Sequence, residues 1–151
     1  MKKIACMFLS CILLLAMTAC GSVGKSESAT LTLAVDGITI SYELEAENDI
    51  IQTITQVSTL EKAAFTYADV DSFEASFLEY QTIYDAIEGT TYQTESTEDA
   101  LVETITLDVS NSKTLQTLAS QGLLPVEGNT KRLSFSNTVK ELQSQGWVLI
   151  K

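Results

Sequence analysis

The alternation of apolar and polar positions begins at Thr30. Leu31, Leu33 and Val35 share one face and lead into Asp36-Gly37, a strong two-residue hairpin signal. Ile38, Ile40, Tyr42, Leu44 and Ala46 continue the apolar face, while Thr39, Ser41, Glu43, Glu45 and Glu47 point to water. Asn48-Asp49 is a second two-residue turn, and Ile51 to Leu60 returns as a third strand rich in β-branched residues. With that turn Ala46 pairs with Ile51, Leu44 with Thr53 and Ile40 with Val57. This register leaves Ile50 and Ile54 on the wet face, its one conflict with the pattern.

A helix follows. Asp71-Ser72-Phe73-Glu74 reads as a capping box, and Val70, Phe73, Phe77, Tyr80, Tyr84 and Ile87 recur at spacings of three and four. Glu88-Gly89 ends it. Thr90 to Thr94 and Ala100 to Val109 read as two strands. In the second, Leu101, Ile105, Leu107 and Val109 alternate with Val102, Thr104, Thr106 and Asp108. Ser110 or Asn111 caps a short helix ending near Gly122. Ser134 or Ser136 caps a last helix stopped by Gly146, and Trp147 to Ile150 is a closing strand. The order β-β-β-α-β-β-α-α-β segregates strands and helices. It predicts an α+β domain: an antiparallel sheet, opened by a three-strand meander, with helices packed on one face.

The first twenty residues are of another kind. Met1-Lys2-Lys3 is a basic start, Ile4 to Met17 is almost wholly apolar, and Thr18-Ala19-Cys20-Gly21 follows. This is the plan of a secretory signal, and the apolar run is short of the ~20 residues that span a bilayer as a helix. Met17-Thr18-Ala19-Cys20 resembles the bacterial lipobox, although leucine is the commonest residue at the position of Met17. The resemblance implies cutting before Cys20 and lipid on its thiol; an ordinary signal cleaved at a small-residue site is the alternative. The expected organisation is a signal peptide over 1–19, a lipidated Cys20 with a flexible Gly/Ser-rich tether over 20–29, and one domain over 30–151. The localisation implied is the extracytoplasmic side of a cell membrane: the outer leaflet of the plasma membrane, or the outer membrane where a cell has two.

Charge and composition narrow the chemistry. The chain has 151 residues, 9 basic and 20 acidic, and no histidine. Loss of Lys2 and Lys3 with the signal leaves 7 basic against 20 acidic residues, a net charge of −13. Nucleic acid is an improbable partner for such a chain. The lack of histidine removes Ser-His-Asp and Cys-His catalysis and histidine-ligated metals. Of the three cysteines, Cys6 and Cys11 leave with the signal and Cys20 carries lipid, so the domain is left with neither a disulfide nor a free thiol.

Each remaining cluster has a plain reading beside a chemical one. Asp69, Asp71 and Glu74 serve as helix-start charge, or as a cation site. Glu43, Glu45 and Glu47 line a solvated strand face, or supply an acid/base pair. Ser134 and Ser136 are helix caps, or nucleophiles beside Lys140. The plain reading is favoured in all three, so catalytic residues, metal and cofactor are expected to be none. Tyr80, Tyr84 and Tyr92 are the candidate ligand groove, with tyrosines rimming an ordinary core as the alternative.

Several segments are similar to one family. Ile40-Ser41-Tyr42 before the Asn48-Asp49 turn, Tyr84-Asp85-Ala86-Ile87-Glu88-Gly89 closing the long helix, Ile105-Thr106-Leu107-Asp108, and Gly146-Trp147 with Ile150-Lys151 at the end together resemble the YehR-like small bacterial lipoproteins, in which phenylalanine is common at the position of Trp147. The resemblance implies an envelope lipoprotein with an α+β domain of unknown function, and it brings no catalytic residues. The expected role is a non-enzymatic, membrane-anchored module with an envelope protein, peptide or small ligand as partner. A surface hydrolase or a divalent-cation-dependent enzyme is the alternative.

Overall fold

The computed structural model describes residues 24–126 and 129–150. The expected signal peptide, Cys20 and the start of the expected tether lie outside the described residues. The elements are β1 (Ser26–Val35), β2 (Ile38–Glu47), β3 (Ile50–Glu61), α1 (Tyr67–Asp85), β4 (Thr90–Ser96), β5 (Ala100–Asp108), α2 (Ser112–Ser120), α3 (Phe135–Ser144) and β6 (Val148–Leu149). Their order is the one read from the sequence. The sheet runs β4-β5-β3-β2-β1-β6 with antiparallel neighbours throughout. The domain is therefore α+β, and its first three strands form a meander.

Both hairpin turns take the form their residues favour. Asp36 and Gly37 have φ of 48° and 80°, and Asn48 and Asp49 have 53° and 63°. Positive φ at both central positions is the type I′ geometry that matches strand twist. Gly37 is doubly constrained, because a Cβ there would lie 2.3 Å from the Ala64 side chain.

Strand ends move by one or two residues, and two element starts and one register differ more from expectation. β1 begins at Ser26, not Thr30: Ser26–Ala29 pair with Leu44–Glu47, and Ala29 is buried. Four residues read as tether therefore belong to the sheet. Their Ser/Glu composition hid them, since Ser26 and Ser28 stay in solvent on a strand edge and Glu27 is half-buried. The β2–β3 register also shifts. Ala46 does face Ile51, but Leu44 faces Ile54 and Ile40 faces Ser58, because a bulge opposite Glu45 and Ala46 leaves Gln52 as an extra residue. An inserted residue flips every later side chain to the other face, which brings Ile54 into the core at 3% exposure. The Gln52 carbonyl accepts from the Val109 and Ser110 amides at 2.9 and 3.1 Å. Last, α1 starts at Tyr67. The capping box is Thr66 with Asp69, not Asp71 with Glu74: the Asp69 amide donates to Thr66 Oγ1, and the Thr66 amide donates to Asp69 Oδ2.

One face of the sheet is covered by the helices. Leu31, Leu44, Ile51, Ile105 and Leu107 from the strands meet Tyr84 and Ile87 near the end of α1, Leu115 and Leu118 of α2 and Leu142 of α3. A smaller cluster of Leu60, Phe73 and Leu101 closes the far end, backed by Phe65, Val70 and Phe77. The opposite sheet face carries Thr39, Ser41, Thr55, Thr59, Thr104 and Thr106, half-exposed and without a covering layer among the described residues.

The strands give the domain two poles. At one, Lys25 enters β1 and is pinned to the Asn48 turn: its amide donates to Asn48 Oδ1, and its carbonyl accepts from the Asn48 amide. The other pole, a ten-residue strand away, gathers the Asp36-Gly37 turn, residues 62–66, the start of α1 and the β4–β5 turn. At 3.3 Å per residue the separation is about 33 Å.

Candidate binding site

The three candidate tyrosines do come together, through the stripe of α1 and the adjoining strand β4. Tyr84 and Tyr92 stack with ring centroids 5.5 Å apart and planes 15° from parallel. Tyr84 is 1% exposed and Tyr92 is buried, so each ring is turned to the other and to the core, not to solvent. Burial, then the negative charge of Glu103, pushes the Tyr84 phenol above its ordinary range. For Tyr92, burial comes first and its hydrogen bond to Glu103 second. Tyr80 is half-buried. It lines a cavity of about 20 Å³ with Ser58, Ser76, Phe77 and Glu103, room for roughly one water.

That cavity leads to a feature the sequence reading passed over. Glu103 is 5% exposed and stands in the inward row of β5 between Leu101 and Ile105. A polar lane runs from it across the sheet. Tyr42 Oη donates to Gln56 Oε1 at 2.9 Å, and Gln56 Nε2 donates to Ser58 Oγ at 3.0 Å. Ser58 and Tyr92 both hydrogen-bond Glu103. Burial raises the Glu103 carboxyl above its ordinary value, and the two hydrogen bonds offset only part of that. The signal was available: period-two alternation assigns position 103 to the buried row, where a carboxylate is out of place.

Ser134, Ser136 and Lys140 gather around Asp49. Ser134 Oγ donates to Asp49 Oδ2 at 2.8 Å and the Ser136 amide to Oδ1 at 2.8 Å, while Ser134 Oγ accepts from the Asn137 amide. Burial works to raise the Asp49 carboxyl. The Ser136 amide, the two serine hydroxyls and Lys140 outweigh it and hold the group below its ordinary value. The arrangement ties the β2–β3 turn to the start of α3, with Ser134 committed as a cap. Asp69 and Glu74 are likewise engaged, Asp69 in the capping box and Glu74 as acceptor from Ser96. Glu43, Glu45 and Glu47 lie exposed on the solvated face of β2.

The large opening lies at the far pole. A cleft of about 1200 Å³ is bounded by Glu61 to Thr66, the first two turns of α1 and the β4–β5 turn. Phe65 and Val70 form its apolar floor, and Tyr67 stands beside them at 93% exposure. Glu61, Asp71, Glu74, Glu98 and Asp99 surround it, with Lys62 as the one cation of the lining. Lys62 Nζ is spent on the β4–β5 turn, donating to Ser96 Oγ at 3.0 Å and to the Thr97 carbonyl at 2.6 Å. Ser96 passes the link to Glu74 at 3.1 Å. No segment of the sequence announces this cleft, because β3–β5 pairing alone brings residues 61–74 and 98–100 together.

The fold is one shared with known relatives. The model of the family described as "Protein of unknown function (DUF1307)" matches residues 27–148, and the chain belongs to that family. The solution structure of the E. coli YehR protein is similar over 86% of this chain and 94% of its own, with a TM-score of 0.66 at 16% identity. A protein from Streptococcus pneumoniae TIGR4, also solved by NMR, is similar over 89% of this chain and 91% of its own, with a TM-score of 0.57 at 12% identity. At such identities the likeness concerns the fold. No curated protein matches the chain.

Proposed function

We propose that this chain is a cell-envelope lipoprotein, cut before Cys20 and held by lipid on that cysteine at the extracytoplasmic side of the membrane, and that its folded domain is a non-enzymatic binding or interaction module. The observation that carries the anchor is Met17-Thr18-Ala19-Cys20 placed directly after an apolar run with a basic start. The start of β1 at Ser26 sharpens the picture. Five residues then separate the cysteine from the sheet, and the six steps from Cys20 to Ser26 span at most about 22 Å of extended chain. The Lys25 pole is thereby kept near the membrane and the open cleft is carried away from it.

Two features support binding over catalysis. Among the described residues the buried titratable groups, Glu103 with Tyr42, Tyr84 and Tyr92, face the core rather than the open cleft. The lipid would occupy the single cysteine left after cutting, in a chain without histidine. Cys20→Ala tests the anchor by cell fractionation with metabolic palmitate labelling. The wild-type chain should fractionate with membranes and carry label, and the variant should carry none. Label retained by the variant overturns the proposal.

A further inference from the structure

We infer that the cleft at the pole opposite Lys25 receives a cationic peptide segment, one in which lysine or arginine stands beside aromatic or large aliphatic side chains. The inference rests on the reading of the domain as a binding module and names its partner class. Five carboxylates ring the cleft, and the one ammonium in the lining is already bonded to Ser96 and Thr97. The start of α1 by itself would favour an anion. Here the Thr66–Asp69 box occupies that helix end and places a carboxylate on it, so the helix dipole does not reverse the sign of the site.

Charge alone does not explain the shape. Exposed ion pairs each contribute little and are screened by salt, so the acidic rim supplies encounter rate and selectivity for sign. Affinity has to come from desolvated apolar contact. Phe65 and Val70 provide a floor that is itself packed on Phe73, the Phe65 and Phe73 rings meeting edge-on at 5.4 Å. Tyr67, at 93% exposure, offers an amphipathic ring to a side chain or a cation laid across it. A bare divalent cation would need carboxylates converging at ligand spacing, and no such group of three occurs among the described residues. A membrane surface is excluded by sign, because anionic headgroups repel this pole. A peptide with alternating cationic and apolar side chains meets both the rim and the floor.

Three acetylated, amidated hexapeptides serve as probes: alternating lysine and tyrosine, lysine alone, and alternating glutamate and tyrosine. Binding is measured by calorimetry and by amide chemical shifts in detergent, on the wild-type chain and on Cys20→Ala, so that a failure of anchoring leaves the binding result readable. The lysine–tyrosine peptide should bind at least about tenfold tighter than hexalysine, and the glutamate–tyrosine peptide should not bind. Shifts should concentrate at residues 61–74 and 98–100. Asp71→Asn combined with Asp99→Asn should weaken binding at least about fivefold, as should Tyr67→Ala, whereas Glu43→Gln combined with Glu45→Gln on the open sheet face should leave it unchanged. These positions are exposed, so the variants keep the fold. Equal binding of hexalysine, shifts spread over the whole acidic surface, equal weakening by the Glu43/Glu45 pair, or no binding at all would each overturn the inference.

Discussion

Tyr92 donates its phenolic hydrogen to Glu103 inside the core, across the β4–β5 pair, where both residues are at least nine-tenths buried. The carboxylate also meets Ser58, which in turn accepts from Gln56. A buried carboxyl is tolerable when neutral or fully hydrogen-bonded, and costly when ionised with bonds missing. Burial raises this carboxyl, so the folded chain holds the proton to higher pH than the unfolded chain does. Its contribution to stability is therefore complete below the ordinary glutamate value of 4.5 and is lost as pH rises through the raised folded value. Glu103→Gln should lie closest to wild type at pH 4 and gain on it towards pH 7, read as the difference in urea midpoints. A difference that does not change with pH would show that Glu103 titrates like an exposed side chain. Tyr92→Phe should cost about 1–3 kcal/mol at neutral pH by leaving the carboxylate short of a donor.

Asp49 has the opposite sign. Its carboxyl is held below the ordinary aspartate value by the Ser136 amide, the hydroxyls of Ser134 and Ser136, and Lys140, against a burial effect that raises it. Its contribution is present above the ordinary value of 3.8 and is lost as pH falls through the lowered folded value. Asp49→Asn keeps a side chain that tolerates the positive φ of 63°, so the wild-type advantage over it should vanish in acid. Asp49→Ala loses both the acceptor and that tolerance. It should cost about 1–2 kcal/mol at pH 7, the scale of a lost helix cap. Thermal melts of both variants at pH 3 and pH 7 check the two statements together.

The element order was legible because each element has a local period and local punctuation: Asp36-Gly37 and Asn48-Asp49 for the hairpins, and Phe73 to Ile87 for the long helix. What was missed has non-local causes. The bulge at Gln52 depends on amides from Val109 and Ser110, which reach it only in the folded sheet. The start of α1 was read late because Asp71 and Glu74 imitate the spacing of the true pair, Thr66 and Asp69. That Tyr84 and Tyr92 meet was readable from their placement on helix and strand. That they meet ring to ring in the core, with Tyr92 bonded to Glu103, was not, because Glu103 is visible in sequence only as an interruption of an apolar row.

The indole of Trp147 is buried against Tyr42, with ring centroids 4.6 Å apart, and its Nε1 has no hydrogen-bond partner among the described residues. A buried donor left unmade carries a penalty. Trp147→Phe removes that donor together with some packing volume, so the two effects oppose each other. Stability should change by less than about 1 kcal/mol, whereas Trp147→Ala should cost about 3–5 kcal/mol. Denaturant midpoints of the two variants, followed by circular dichroism, separate these outcomes.

Phe73 and Phe77 lie one turn apart on α1 with unequal burial. Phe73 is enclosed by Leu60 and Leu101, while Phe77 is half-buried between the two core clusters. Phe73→Ala should cost about 3–5 kcal/mol, and Phe77→Ala about half of that. Equal urea midpoints for the two variants would show that the α1 stripe is not turned towards the sheet in the way described.

The acidic surface gives the last expectation. A chain with 20 acidic residues opposes its own compaction by self-repulsion. Monovalent salt screens that repulsion over about 8 Å at physiological ionic strength, so sodium chloride should raise the melting temperature gradually. A specific cation site would act differently. It would stabilise by mass action, with the melting temperature rising in micromolar-to-millimolar calcium on top of the ionic-strength effect. The carboxylates best placed to make one are those of the far pole. There Asp69 is spent in the capping box, Glu74 accepts from Ser96, and Glu61, Asp71, Glu98 and Asp99 line the opening without any three carboxylates gathered as metal ligands among the described residues. Calcium and magnesium should therefore match sodium at equal ionic strength. A calcium-specific rise that disappears in Asp69→Asn combined with Asp71→Asn would convert the start of α1 from a cap into a metal site, and would remove the vacancy that a cationic peptide needs.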